Sequence, residues 1–122
     1  MDSSAPHIVG AYLFKRNRKP LYDLARAKTI WKRRIAIMAT LYFIREGDFG
    51  DTLALAEALL QDDQDLTHKA SGWMLREVGK RNPETLEGFL NNHYPKMPRT
   101  MLRYAIERLP KATRTAYLRG TA

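Results

Sequence analysis

The stretch Asp65-Leu66-Thr67-His68-Lys69-Ala70-Ser71-Gly72-Trp73-Met74-Leu75-Arg76-Glu77-Val78-Gly79-Lys80 decides the fold. At 100° per residue, Lys69, Trp73, Arg76 and Lys80 fall within roughly 60° of one another. Leu66, Ala70, Met74 and Val78 form a second stripe, centred roughly 120° away and facing the core. The spacing predicts a helix over about 66–80, capped by Asp65 and ended with the help of Gly79. Its polar side holds a large aromatic within a row of cations. Such a row can contact phosphates while the indole packs on sugar or base. The competing reading is that Trp73 bridges two helices and the cations only solvate that face.

Outward from this helix, the rest of the chain also reads as helical. Ser4-Ala5-Pro6 opens a segment to about Phe14, and Pro20 starts a short helix to about Ala27. Thr29 caps a long helix from Ile30 to about Arg45, and Asp51 caps one through about Gln61. Asn82-Pro83-Glu84 combines a cap, a first-turn proline and an acidic first turn for a helix to about Asn92. Pro98 and Pro110 open the last two, near 98–108 and 110–119. No stretch alternates with period two, so no strands are expected.

Three segments share a pattern of basic residues followed by small or aliphatic ones. They begin at Trp31-Lys32-Arg33-Arg34, Leu66-Thr67-His68-Lys69 and Pro98-Arg99-Thr100-Met101-Leu102-Arg103. Arg34, Lys69 and Arg103 follow one another at intervals of about one 34- to 35-residue repeat. The expected fold is all-α, a HEAT-like repeat superhelix (an α-α solenoid) of about four helix pairs in one domain over residues 1–122. Its repeated inner helices would line a concave surface.

Charge is unevenly spread in this basic chain of net charge +8. Seven of the 13 acidic residues lie between Glu46 and Asp65, where there is no Lys or Arg. The other 102 residues carry 21 basic against 6 acidic side chains, a net of +15. That asymmetry implies a basic surface, which attracts polyanions by releasing their counterions, and an acidic edge.

Several function classes receive no support. There is no cysteine for a disulfide or a thiolate metal site. No apolar run approaches the roughly 18 residues of a membrane span. His7, His68 and His93 lack partners at metal-ligand spacing and read as solvated or capping residues. Asp62, Asp63 and Asp65 lack the EF-hand pattern and read as a cap and a solvated turn. Neither a glycine-rich phosphate loop nor a nucleophile elbow is present. The expectation is a cytoplasmic protein with no cofactor and no metal.

On helix 30–45, Trp31, Arg34, Ile35, Met38 and Tyr42 lie on one side, with Arg34 at its edge. A core role is expected for Trp31 and for most of Ile35 to Ile44. Arg99 and Arg103 share a face of helix 98–108, as phosphate ligands or as two solvated arginines.

These segments resemble the DNA alkylation repair proteins, HEAT-like-repeat DNA glycosylases of the AlkD type. The resemblance rests on Asp2-Ser3-Ser4-Ala5-Pro6-His7-Ile8-Val9-Gly10, Trp31 to Ile37, Asp65 to Lys80 and Met97 to Ile106. It covers the C-terminal half of the family's domain. What it implies is removal of cationic alkylated bases, 3-methyladenine and 7-methylguanine, by cleavage of the N-glycosidic bond.

The catalytic residues implied are Asp2, Arg34 and Trp73. Asp2 matches a carboxylate that stabilises charge growing on the deoxyribose. Arg34 matches an arginine that holds the backbone at the lesion, and Trp73 a tryptophan that packs on the sugar. In the family that aspartate closes a Trp-Asp-x-Val-Asp motif; here Met1 stands at the Val position. The DNA-binding set expected is Arg34, Lys69, Trp73, Arg76, Lys80, Arg99 and Arg103, with duplex DNA carrying alkylated bases as partner. A non-catalytic DNA-binding repeat and a protein-interaction solenoid are the alternatives. A half-superhelix would also self-associate through an exposed apolar N-terminal repeat end.

Overall fold

The computed structural model describes residues 19–120. Seven α-helices follow in order: α1 (Lys19–Ala25), α2 (Ile30–Arg45), α3 (Gly50–Ala58), α4 (Asp65–Arg81), α5 (Pro83–His93), α6 (Arg99–Ala105) and α7 (Lys111–Arg119). Short 3₁₀ turns, Leu59–Gln61 and Tyr94–Lys96, follow α3 and α5. The described residues contain no strand, so the all-α, helical-repeat reading holds. The expected helix from Ser4 to Phe14 and the N-terminal repeat end lie outside the described residues.

α4 is the axis of the structure, with α2 packed along one side and α6 along the other. α3 backs α2, and α5 backs α4, as the outer members of helix pairs. The core runs through the layers as Leu21, Ile37, Phe43, Leu55, Met74, Leu75, Leu90, Met101 and Ile106, all fully buried. On α2, Ala36, Ile37, Ala39, Thr40, Phe43 and Ile44 are buried, as its nearly continuous apolar run requires.

α6 comes unusually close to α4 at Gly72. A Cβ built there would stand 2.5 Å from the Met101 carbonyl oxygen and 2.6 Å from Tyr104 Cβ. Since one obstacle is backbone, relief would require α6 to move. Gly72→Ala is therefore expected to destabilise by about 1–2 kcal/mol, although alanine is the better helix former. Gly88, on α5 with nothing within 4 Å of such a Cβ, is the control. There alanine should stabilise by about 0.5–1 kcal/mol in urea denaturation.

Local details depart from the expectations in several places. Gly79 does not end α4, which continues to Arg81; a Cβ there would collide with Leu86 of α5. Asp51 and Asp65 are first-turn residues, not N-caps. Asp51 instead accepts a 2.6 Å hydrogen bond from the Tyr22 hydroxyl of α1, and Asp65 one of 2.6 Å from Thr100 Oγ1 of α6. Asn82 does cap α5, its Oδ1 accepting from the Thr85 amide at 3.2 Å.

Asp62, expected in a solvated turn, is the hub of a partly buried clasp. Its carboxylate, 5% exposed, accepts from Arg33 Nε at 2.6 Å and from the Gln64 amide at 2.8 Å. Arg33 also donates to the carbonyls of Ala27 and Lys28, both at 2.9 Å. His68 is buried, not solvated, and bonds through Nε2 to the Asp62 carbonyl oxygen at 2.5 Å. Hidden donors and acceptors need partners, and this clasp ties the start of α2 to the start of α4.

Candidate nucleic-acid interface

Because α2 and α6 flank α4, the side chains on the edges where they meet converge. They enclose a cavity of about 150 Å³ lined by Arg34 and Met38 of α2, Leu66, Lys69, Ala70, Trp73 and Arg76 of α4, and Tyr104 of α6. Arg34, Lys69, Trp73 and Arg76, four of the residues expected on the basic face, thus meet around one space.

Their electrostatic states differ. Lys69 is 3.8 Å from Asp65 one turn earlier, an exposed and solvent-screened pair. Arg76 pairs with Glu107, on the segment after α6. The Trp73 indole N–H donates to Glu77 Oε1 at 3.2 Å, which also accepts from Lys80 Nζ at 3.2 Å. Glu77 thereby fixes the rotation of the indole, and Lys80 neutralises Glu77. Arg34 is the exception: among the described residues it has no carboxylate partner, and its Nε is buried without an acceptor. Its guanidinium lies 5.5 Å from the Trp31 ring centroid. Trp31 is half-buried and stands outside the core cluster, so in place of the expected core role it is a platform for Arg34, and its own Nε1 has no acceptor.

The other expected ligands stand outside this cavity. Lys80 lies two turns beyond Trp73 on α4 and is exposed. Arg99 donates to the Leu118 carbonyl oxygen at 2.7 Å, joining α6 to α7. Arg103 is exposed and lines a separate groove between α6 and α7. Asp2 lies outside the described residues.

Three lining residues escaped the sequence reading. Leu66, assigned to the core stripe with Ala70, Met74 and Val78, is 48% exposed at the cavity edge while the other three are buried. It sits in the first turn of α4, lining the cavity together with Arg34 and Met38 of α2 and Tyr104 of α6. Met38 was placed on the correct side of α2 but given no role. Tyr104 was legible in the repeat register, which equates Ile35, Ala70 and Tyr104 once Arg34, Lys69 and Arg103 are superposed.

A half-buried cation without a counter-charge among the described residues, an oriented indole and apolar walls suit a sugar-phosphate unit, whose anion meets the cation while the sugar packs on the ring. Among the described residues no group of three His, Cys, Asp or Glu side chains could hold a metal ion. No helix among them is long and apolar enough to cross a membrane.

No curated protein and no solved structure gives a match. The profile of the family described as DNA alkylation repair enzyme matches residues 1–109, a span that contains every residue lining the cavity. The chain therefore belongs to the DNA alkylation repair enzyme family, with a role in DNA repair.

Proposed function

We propose that this protein is a DNA glycosylase that holds one nucleotide of an alkylated duplex at the α2–α4–α6 cavity and releases its cationic base. The observation that carries the reading is the half-buried guanidinium of Arg34, which has no carboxylate partner among the described residues and faces the same space as Trp73. Burying a charge without a partner is costly, and a backbone phosphate supplies what Arg34 lacks. Trp73, held by Glu77, offers its electron-rich face to the deoxyribose, where positive charge grows as the base departs.

A base that is already cationic is a good leaving group, so no dedicated general acid is required. Base loss then turns on electrostatic stabilisation of an oxocarbenium-like state. In this reading Asp2 supplies that carboxylate, and water completes hydrolysis at the anomeric carbon. Substrates are duplexes containing 3-methyladenine or 7-methylguanine.

The test is chromatographic detection of free 7-methylguanine released from methylated duplex by the full chain. Release should fall about 10²-fold in Asp2→Asn, the scale expected for removing one preorganised electrostatic stabiliser. Undiminished release in Asp2→Asn would refute the catalytic assignment. Salt-sensitive duplex binding without any release would instead leave a DNA-holding repeat that does not cut.

A further inference from the structure

α7 is held to the end of the solenoid at a distance from α6. Tyr117 packs edge-on against Tyr94 with centroids 5.3 Å apart, and its hydroxyl donates to Asn91 Oδ1 at 3.2 Å. The groove left between α6 and α7 has a volume of about 370 Å³. Arg103 rises from one wall, Lys111 and Arg114 from the other, over a floor that includes Ile106 and Leu118. Lys111 and Arg114 are i and i+3 on α7 and so share a face. None of the three cations has a side-chain partner among the described residues.

Glu107 is the one carboxylate lining the groove, and it is engaged by Arg76. Arg76 lines the first cavity, so this ion pair forms the wall shared by the two spaces. Basic residues thus line both spaces, Arg34, Lys69 and Arg76 the first and Arg103, Lys111 and Arg114 the second. The family profile stops at residue 109, just before Lys111 and Arg114.

We propose that the α6–α7 groove is a second phosphate subsite for the same duplex, holding the backbone beyond the nucleotide at the first cavity. The occupant is a DNA backbone and not a free anion. Three cations spread across two helices fit a line of phosphates, and the groove adjoins the first cavity across the Arg76–Glu107 pair. Phosphate contacts of this kind fix register without reading sequence. The inference rests on DNA occupying the first cavity, and the test separates the two.

Binding of the full chain to a duplex is measured across a salt series for wild type, Lys111→Gln/Arg114→Gln and Arg34→Met. Each lost phosphate contact lowers the slope of log affinity against log salt by about 0.9. The double variant is expected to lose between about one and two units of slope and about tenfold in affinity near 0.1 M salt. Glu107→Gln removes the one carboxylate that lines the groove among the described residues and should tighten binding several-fold. An unchanged slope in the double variant, with Arg34→Met weakened, would overturn the second subsite and leave the first-cavity reading intact. Unchanged slopes in both variants would overturn both. Saturable binding of inorganic phosphate that requires Lys111 and Arg114, with no change in the DNA slope, would assign the groove to a free anion and also overturn the proposal.

Discussion

Replacing Arg34 with methionine is expected to weaken duplex binding by about 3 kcal/mol, roughly a hundredfold, while leaving the fold as stable as before or more so. The two signs come from the same cause. In the unbound protein the guanidinium is half-buried, its Nε has no acceptor, and no carboxylate among the described residues faces it. An unsatisfied buried polar group costs about 1–3 kcal/mol. The offsetting contact is the Trp31 ring at 5.5 Å, worth about 0.5–1 kcal/mol.

Methionine keeps much of the aliphatic stem and leaves no orphaned counter-charge behind. The melting temperature should therefore hold, or rise by a few degrees, at roughly 3–6 °C per kcal/mol for a chain of this size. On DNA the balance reverses, because a phosphate accepts from the guanidinium fork and the lost contact removes about 0.9 from the salt slope. Arg34→Lys keeps the charge but not the fork, so it should fall between the two. A melting temperature lowered by several degrees in Arg34→Met would show that Arg34 serves the fold.

Arg33, its neighbour in sequence, should behave in the opposite way. Arg33→Met is expected to cost about 3–5 kcal/mol of folding stability, because it strands the Asp62 carboxylate in a partly buried site. The two side chains are 15% and 5% exposed, and their 2.6 Å contact is shielded from the solvent that weakens surface pairs. Such a loss is a large fraction of the 5–15 kcal/mol available to a domain.

Asp62→Asn retains an acceptor for Arg33 and for the Gln64 amide, so its cost should be smaller. Arg33→Met/Asp62→Leu removes both charges and should recover much of the loss, since an apolar pair can replace a buried ion pair at little cost. Urea denaturation with a constant m-value reads all three variants. A change below about 1 kcal/mol in Arg33→Met would mean the pair is screened like a surface bridge. Thus two adjacent arginines, indistinguishable by type, divide into one that holds the fold and one available to a ligand.

That division was not legible in the sequence. Helix periodicity placed α2 to α7 and the buried run from Ile35 to Ile44, because a 3.6-residue pattern of apolar residues is a property of the segment itself. The repeat interval equates Arg34, Lys69 and Arg103 and the helix wheel adds Trp73 and Arg76; of these, Arg34, Lys69, Trp73 and Arg76 share the cavity, whereas Arg103 lines the neighbouring groove.

What the pattern could not supply was which cation meets a carboxylate from a distant segment. Asp62 and Arg33 are 29 residues apart, and Glu107 and Arg76 are 31 apart. Those pairings depend on how the helix pairs stack. The same limit explains Leu66, whose place on the apolar stripe follows from spacing but whose burial depends on how the neighbouring helices are placed around it. In the sequence Gly72 reads as a small residue in a helix and Gly79 as part of its end. Only the stacked structure shows that one admits α6 and the other Leu86.

The chain has two tryptophans, so Trp31→Phe leaves Trp73 as the sole indole while keeping a ring beneath Arg34. Titrating this variant with a 7-methylguanine duplex, and following tryptophan emission and DNA anisotropy together, asks directly whether DNA reaches the cavity. The account predicts saturable quenching of Trp73 with the same midpoint as the anisotropy change, both shifted to weaker binding by Arg34→Met. Duplex binding by anisotropy with Trp73 emission unchanged would contradict it, placing the DNA on another face of the protein.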